Sequence, residues 1–204
     1  MSLDRSSSKN LAEYQGKYRD RSLVLRFANR RFFQTIDSLV DTLPHRSLLD
    51  AGCGEGLILK LLATNGHASY IGVDLDPARI ALADQNLASG MLLVGNVEHL
   101  PVADDAFDLV LLLEVFEHVG DPAQALREVH RVTRRYLLAS VPNEPWWRIG
   151  NMARLKYLRQ WGNTPEHINH WSVRSFKRFL GDRFSIIEIR KPLLWTFIVG
   201  EKRP

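Results

Sequence analysis

The sequence predicts an α/β protein with a doubly wound, seven-stranded sheet that ends in an antiparallel hairpin. Two observations carry this prediction. Short apolar runs alternate with helical patterns, and most of the runs are continuous, which is typical of parallel strands covered by helices on both faces. The last two runs, 184–191 and 193–202, are joined only by Pro192. Because that link is too short for a crossover helix, we expect these two strands to run antiparallel.

The individual elements follow from these patterns. The predicted strands are residues 47–52, 70–75, 91–95, 107–113, 136–141, 184–191 and 193–202. The predicted helices are residues 23–43, 57–65, 77–88 and 122–132. Asp76 and Asp121 suit N-cap positions, because each precedes a proline at the first helical position. Gln124 occupies the capping-box position of the helix that follows Asp121.

Composition excludes several classes of protein. No apolar run reaches membrane-spanning length and the N-terminal residues lack a signal-peptide core, so we expect no membrane span and a cytoplasmic location. The single cysteine, Cys53, excludes an internal disulfide and a cysteine-based zinc site, and we expect it only to fill space. The net charge is +4, but acidic side chains outnumber basic ones within 47–143 and basic ones dominate the flanks. Such flanks attract anionic substrates or nucleic acid, or they are simply solvated.

The stretch LLDAGCGEG places three glycines between the first strand and the next helix. Gly52, Gly54 and Gly56 let the backbone approach a ligand at the carboxyl end of a strand, where open α/β sheets bind ligands. Asp50 and Glu55 would repel a phosphate there, so the loop suits a ligand with a cationic end. The glycine spacing also differs from that of nicotinamide-binding loops.

LLDAGCGEG resembles the first motif of class I S-adenosylmethionine-dependent methyltransferases, and the resemblance extends along the chain. YIGVDLDP (70–77), VGNVEHLPVADDAFDLV (94–110) and EVFEHVGDPAQALREVHRVT (114–133) are similar to the family's later segments. The resemblance implies a Rossmann-like sheet with a terminal antiparallel hairpin, and S-adenosylmethionine as the cofactor. One difference is TRRY at 133–136, which predicts a tight turn where relatives carry KPGG.

The same resemblance implies a role for each matching residue. The loop from Gly52 to Gly56 would pack against the methionine part of the cofactor, and Asp50 would support its ammonium group. Asp74 would accept hydrogen bonds from the two ribose hydroxyls. Asn96, at a position usually held by aspartate, would accept a bond from the adenine amino group through its carbonyl oxygen. The backbone of Val97 would complete the adenine contacts.

The stretch EVFEH places Glu114, Glu117 and His118 on one face of a helical turn after the fourth strand. Glu114 and His118 are the candidate catalytic residues, and Glu114 is also a candidate cofactor contact. Two carboxylates and an imidazole can bind a divalent ion such as Mg²⁺ or Mn²⁺. Without a metal, His118 would act as a general base or contact the substrate, or would only close the start of a helix.

EVFEH is also similar to the pattern of metal-dependent O-methyltransferases, namely those of ubiquinone biosynthesis and those that methylate the 2′-hydroxyl of small-RNA ends. In the latter, a histidine ahead of an aromatic-led helix supplies another ligand. His167 lies four residues before Trp171 and fits that position, and His170 is a neighbouring candidate. The resemblance therefore implies a metal set of Glu114, Glu117, His118 and His167.

We expect a single domain over 1–204, with the substrate site formed by its less regular parts. The expected parts are an N-terminal helical cap (1–45), a cofactor-binding core (46–141), a substrate lid (142–175) and a C-terminal helix and hairpin (176–204). The lid carries the tryptophans and cations Trp146, Trp147, Trp161, Trp171, Arg148, Arg154, Lys156 and Arg159. These residues would hold an aromatic or anionic substrate, or the tryptophans would pin the loop to the sheet. Tyr14 and Tyr18 would cap the cofactor, or belong to a mobile tail.

The sequence therefore predicts a monomeric or homodimeric methyltransferase that acts on an oxygen of a small molecule. Methyl transfer requires mainly positioning, which explains why no protein nucleophile stands out. Two alternatives remain. The first is an RNA 2′-hydroxyl methyltransferase, although the chain lacks a long basic stretch, so we expect no nucleic-acid partner. The second is a non-enzymatic cofactor-binding or scaffold protein.

Overall fold

A computed structural model describes residues 23–64, 70–88, 90–144 and 167–203 of the chain. The helices of this part are α1 (Leu23–Thr42), α2 (Leu57–Thr64), α3 (Pro77–Asn86), α4 (Pro122–Val132) and α5 (Val173–Gly181). The strands are β1 (Leu48–Ala51), β2 (Tyr70–Asp74), β3 (Met91–Val94), β4 (Phe107–Leu113), β5 (Thr133–Pro142), β6 (Phe184–Arg190) and β7 (Trp195–Lys202). None of the described helices is long and apolar enough to cross a membrane.

The seven strands form one sheet in the order β3-β2-β1-β4-β5-β7-β6. The first five strands are parallel, and β7 lies antiparallel between β5 and β6. The predicted fold class, including the terminal hairpin, is confirmed. Strand order reverses between β1 and β4, because the chain builds outward from β1 to β3 and then returns to the other side. In open sheets, that reversal point is where ligands bind.

Helices cover both faces of the sheet, as the continuous apolar runs predicted. On one face, α1 and α2 bury side chains such as Ile36 and Leu62 against the strands. On the other face, α4 and α5 bury side chains such as Val129 and Phe176. Every residue of β1 is buried, because this central strand is covered from both sides. The resulting core holds the strand ends that carry the site.

Both predicted N-caps are present, but the predicted capping box at α4 is incomplete. The Asp76 carboxylate accepts a bond from the backbone N–H of Ala78 at 2.8 Å, and the Asp121 carboxylate accepts one from Gln124 at 2.9 Å. The Gln124 side chain does not return the bond to Asp121, because its amide donates to the carbonyl of Glu98 at 3.0 Å. The Glu98 carboxylate instead accepts the bond from the Asp121 backbone N–H.

The predicted tight turn at 133–136 is wrong. Helix α4 ends at Val132 and β5 begins at the next residue, so the helix passes directly into the strand. Thr133 makes this junction without a glycine, because its hydroxyl donates to the carbonyl of Val129 at 2.6 Å while its backbone is already extended. Strand β5 is therefore three residues longer at its start than the sequence pattern predicted.

The hairpin between β6 and β7 also has a longer connection than predicted. Strand β6 ends at Arg190 and β7 begins at Trp195, so more than Pro192 separates them. The backbone N–H of Trp195 donates to the carbonyl of Pro192 at 3.2 Å, and Leu193 adopts a φ of 53° within the bend. The turn thus contains a non-glycine residue in the left-handed region, which the sequence pattern did not indicate.

Candidate active site

A cavity of about 460 Å³ lies at the carboxyl ends of β1, β2 and β4, where the strand order reverses. Six of the residues predicted for the site line it, namely Gly52, Asp74, Asn96, Val97, Glu114 and His118. Four lining residues carry carboxyl groups (Asp74, Asp76, Glu98 and Glu114), and Arg79 carries a guanidinium. This balance favours a ligand with positive charge and disfavours a pyrophosphate.

The loop Gly52–Gly56, called the glycine loop below, has a conformation that needs glycine. Gly52 has a φ of 88°, and a Cβ there would collide with the side chain of Val115. Its backbone N–H donates to the carbonyl of Val73 at 2.7 Å, so the loop is tied to β2. Gly54 has a φ of 53° and has open space where a Cβ would stand. The glycines therefore give a left-handed backbone and leave room beside it.

Asp74 at the end of β2 joins the glycine loop to the cavity wall. One carboxylate oxygen accepts a hydrogen bond from the backbone N–H of Gly54 at 2.8 Å, and the other accepts one from Asp76 at 3.0 Å. Each oxygen retains capacity for a further bond. Asp74 thus lines the cavity as an acceptor held in place by two donors, and its contact with ribose hydroxyls stays a prediction.

Asp50 lies beneath the glycine loop and does not line the cavity. Its side chain is 2% exposed, and its Oδ2 atom has no hydrogen-bond partner among the described residues. Burial, with a smaller contribution from Asp74, raises the pKa of Asp50 to about 7. Burial and both aspartates also raise the pKa of the Cys53 thiol, which suits a filler of space better than a nucleophile.

Asn96 and Val97 follow β3 and line the cavity. The Asn96 carbonyl oxygen accepts a bond from the backbone N–H of Glu98 at 2.9 Å. The acceptor that the sequence assigned to adenine therefore already has one partner, although a second lone pair remains. Val97 is nearly buried but still contributes to the lining. The adenine contacts of these two residues stay predictions.

Glu114 is anchored at the floor of the cavity. One carboxylate oxygen accepts from the hydroxyl of Ser140 on β5 and the other from Nε1 of Trp195 on β7, each at 2.8 Å. Its backbone N–H also donates to the carbonyl of Ser140, and its φ is 56°. Burial raises the pKa of Glu114 to about 7. Sequence reasoning missed Ser140 and Trp195, because only the pairing of β5 with β4 and β7 brings them here.

Glu117, His118 and His167 come together beside the cavity, and we call them the Glu–His–His cluster. One ligand-capable atom from each lies within 4.8 Å of the others, and the two rings stand 5.0 Å apart. Glu117 is 1% exposed, and neither of its carboxylate oxygens has a hydrogen-bond partner among the described residues. Glu114 is not part of this group, and the predicted metal set stays a prediction.

The surroundings of the cluster shift the charge states of its members. Burial first, and the neighbouring Glu114 second, raise the pKa of Glu117. Burial, with help from His118 and His170, lowers the pKa of His167 to about 4. His167 is therefore a neutral imidazole at physiological pH and offers a lone pair. His170 takes no part in the cluster.

Most of the predicted substrate lid falls outside the described residues. The residues concerned are Trp146, Trp147, Trp161, Arg148, Arg154, Lys156 and Arg159, together with Tyr14 and Tyr18 of the N-terminal cap. Trp171 is described, and it packs on Phe179 at 4.7 Å between ring centroids and on Phe116 at 6.5 Å. These contacts favour the interpretation that Trp171 fixes its segment to the rest of the fold, not that it holds a substrate.

Comparisons with known proteins agree with this fold. Residues 49–136 match the methyltransferase domain family. The chain is 35% identical over 123 residues to a ubiquinone biosynthesis O-methyltransferase of Pseudomonas paraeruginosa, a match that covers 56% of this chain and 53% of that protein. It is 35% identical over 91 residues to a malonyl-(acyl-carrier protein) O-methyltransferase of Serratia marcescens, covering 45% and 35% respectively. The chain thus spans about half or less of these curated relatives.

A solved structure extends the likeness to nearly the whole chain at the level of the fold. Magnesium protoporphyrin IX methyltransferase from Synechocystis PCC 6803, solved with bound S-adenosylhomocysteine, superposes with a TM-score of 0.70 at 20% identity. The superposition covers 98% of this chain and 95% of that one. The sheet order and the glycine loop tied to Asp74 agree with the match over residues 49–136, so this part of the chain is similar to the methyltransferase domain family.

Proposed function

We propose that this chain uses S-adenosylmethionine to methylate an oxygen of a small-molecule acceptor. The observation that carries the proposal is the cavity at the strand-order reversal, whose lining residue Asp74 accepts a hydrogen bond from the Gly54 backbone N–H at 2.8 Å. The choice of oxygen draws on two relatives that are named as O-methyltransferases, one of ubiquinone biosynthesis and one acting on malonyl-(acyl-carrier protein).

The residues present fit the proposed cofactor. The cavity carries several carboxyl groups, which suits a ligand with a sulfonium and an ammonium group. The open space beside Gly54 would accept the methionine part, and Asp74 would accept bonds from the sugar. Asp50 lies below the loop with an unpartnered oxygen, where a nearby ammonium group would offset the burial of its charge. When bound, this cofactor supplies an electrophilic methyl group.

His118 is the residue placed to handle the proton of the acceptor. It is exposed, lines the cavity and contacts the His167 ring from the neighbouring segment. A ring nitrogen of His118 would accept the proton of the acceptor hydroxyl as the oxygen attacks in line. Glu114 does not compete for this role, because both of its oxygens already accept bonds within the floor.

A divalent ion is the alternative to a histidine base, and the Glu–His–His cluster fits one; with an ion bound, His118 would be a ligand and not the base. Glu117 offers two buried oxygens without partners among the described residues, and His118 and His167 offer imidazole nitrogens within 4.8 Å. Two imidazoles and one carboxylate suit Mn²⁺ better than Mg²⁺, which prefers oxygen ligands. When bound, such an ion lowers the pKa of a coordinated hydroxyl.

Calorimetry with S-adenosylhomocysteine tests the cofactor site directly. We expect the wild type to bind, and Asp74→Ala and Gly54→Val to bind at least about tenfold more weakly, because each removes a contact or the room for one. Asp84→Ala is the matched control, since Asp84 is an exposed acid on α3 that does not line the cavity. Absence of binding by the wild type would refute the proposal.

Methyl transfer to a panel of phenols and aliphatic alcohols, followed with radiolabelled cofactor, tests the acceptor class. We expect transfer to oxygen that increases with added Mn²⁺ and falls with a chelator. Activity that survives chelation, together with a harmless Glu117→Ala, would remove the metal from the proposal. Transfer to RNA instead, with binding that weakens steeply as salt rises, would favour the RNA 2′-hydroxyl alternative. Binding of the cofactor without any transfer would favour the non-enzymatic one.

A further inference from the structure

Two segments far apart in the chain build the Glu–His–His cluster, and direct hydrogen bonds join them. Glu117 and His118 lie in the turn 115–119 after β4, whereas His167 lies just before α5. The turn is closed by a bond from the His118 backbone N–H to the carbonyl of Val115 at 2.9 Å. This short turn does not by itself determine where His167 lies.

Asn169 bridges the two segments. Its side-chain amide donates to the carbonyl of Phe116 at 3.0 Å and to the carbonyl of Val119 at 2.8 Å, so both amide protons are used. Its backbone N–H donates to the carbonyl of Glu117 at 3.1 Å, and the N–H of Ile168 donates to the same carbonyl at 2.9 Å. Four bonds therefore hold the segment after His167 against the turn that carries Glu117 and His118.

We infer that Asn169 is a positioning residue that sets the spacing of Glu117, His118 and His167. The carboxylate of Glu117 has no hydrogen-bond partner among the described residues, so its place is set by the backbone of the turn. That backbone is held by Asn169 on one side and by the packing of Phe116 on α5 on the other. The inference rests on the proposed function, because the spacing matters only if the cluster binds an ion or acceptor.

Variants of Asn169 separate the contribution of its hydrogen bonds from that of its shape. Asn169→Asp keeps the size of the side chain but replaces the amide nitrogen, which carries both donor protons, by an oxygen that would face two carbonyl oxygens. Asn169→Ala removes the group altogether, and Asn169→Ser, with one hydroxyl donor, is a milder variant if either of the others folds poorly. Thr133→Val is the matched control. It removes a buried side-chain bond to a backbone carbonyl at the other end of the sheet, away from the cavity.

The experiment measures the cluster in two ways and the cofactor site in a third. Nuclear Overhauser contacts between the His118 and His167 rings report their spacing, since the ring centroids are 5.0 Å apart. Titration with Co²⁺ alone, followed by its visible absorption, reports the affinity of the cluster for a metal. Calorimetry with S-adenosylhomocysteine reports whether the rest of the site is intact.

We expect the Asn169 variants to lose the ring contact and to bind Co²⁺ about 10- to 100-fold more weakly, the usual effect of losing a residue that orients metal ligands. Cofactor affinity should stay within about twofold of wild type. Thr133→Val should change neither cluster readout. If Asn169→Asp and Asn169→Ala keep both the ring contact and the Co²⁺ affinity, the inference is overturned, whatever the cofactor does.

Failure of the proposed function gives a different result. If the wild type binds S-adenosylhomocysteine but no Co²⁺, the metal part of the proposal fails and the ring contact alone judges Asn169. Loss of the contact in the Asn169 variants, with Thr133→Val unchanged, then still supports a positioning role. Retention of the contact overturns it. If the wild type binds no cofactor, the proposed activity fails, and the same ring contact still decides the role of Asn169.

Discussion

The two halves of the site are held together by different kinds of contact. The proposed cofactor half, the glycine loop with Asp50 and Asp74, is built from adjacent strands and is tied by short backbone and carboxylate bonds. The proposed acceptor half, the Glu–His–His cluster, joins segments about fifty residues apart, and both carboxylate oxygens of its buried Glu117 lack a described partner, against one of Asp50. The cofactor half is therefore locally encoded and rigid, whereas the acceptor half depends on long-range assembly.

We expect Gly52→Val, in the glycine loop, to have the largest effect on cofactor binding. A β-branched residue is strained at a φ of 88°, and its Cβ would collide with Val115. We expect loss of detectable S-adenosylhomocysteine binding in calorimetry and a lower melting temperature. Gly181→Ala is the control, because a Cβ there has open space and its φ is not in the left-handed region. Normal cofactor binding by Gly52→Val would break the picture of a rigid loop.

The next effect concerns the buried charge of Asp50 and its dependence on pH. Burial raises its pKa in the folded state to about 7 from an ordinary value near 3.8. The unfolded chain thus loses this proton at lower pH than the folded one, so the carboxyl group lowers stability progressively between about pH 4 and pH 7. Above pH 7 the cost stays constant, at up to about 4 kcal/mol.

Asp50→Asn should remove this pH-dependent cost in the cofactor half. Urea unfolding at pH 4, 5.5, 7 and 8 should show the variant gaining stability over wild type as pH rises, with no further gain above about pH 7. Asp84→Asn, an exposed acid on α3, should show a flat difference across the same range. A flat difference for Asp50→Asn as well would mean that the Asp50 carboxylate has a partner in solution.

Glu117→Gln tests the acceptor half alone. We expect Co²⁺ affinity to fall by more than about 100-fold, because the only carboxylate of the cluster is lost. Cofactor binding should be retained, since Glu117 does not line the cavity. Glu188→Gln, on strand β6 at the far edge of the sheet, should change neither quantity. Equal loss of cofactor and metal binding in Glu117→Gln would show that the two halves are not independent.

The smallest effect is expected where the halves meet, at Glu114. Trp195→Phe removes the Nε1 donor to the Glu114 carboxylate and should lower the free energy of unfolding by about 1–3 kcal/mol. Trp171→Phe is the matched control, because its buried Nε1 has no hydrogen-bond partner among the described residues. Urea unfolding of both variants checks the difference. A loss in Trp171→Phe as large as in Trp195→Phe would assign the effect to ring size.

Patterns within short windows of sequence were enough to predict the elements that local physics controls. The apolar runs predicted the strands, the aspartate–proline pairs predicted the starts of α3 and α4, and the glycine spacing predicted the loop. Each of these depends on neighbours a few residues away, through periodicity, capping bonds or backbone sterics. The tight turn predicted at TRRY is wrong, because the Thr133 hydroxyl bonds to the last turn of α4 while its backbone is already extended.

The membership of the metal set needed the three-dimensional structure. Sequence spacing placed Glu114 beside Glu117, but strand pairing brings Ser140 and Trp195 to its two carboxylate oxygens, which both accept hydrogen bonds there. His167 joins the cluster through Asn169, whose partners lie about fifty residues earlier in the chain. Hydrogen bonds between distant segments leave no periodic signal in a single sequence, because their geometry exists only after the sheet has assembled.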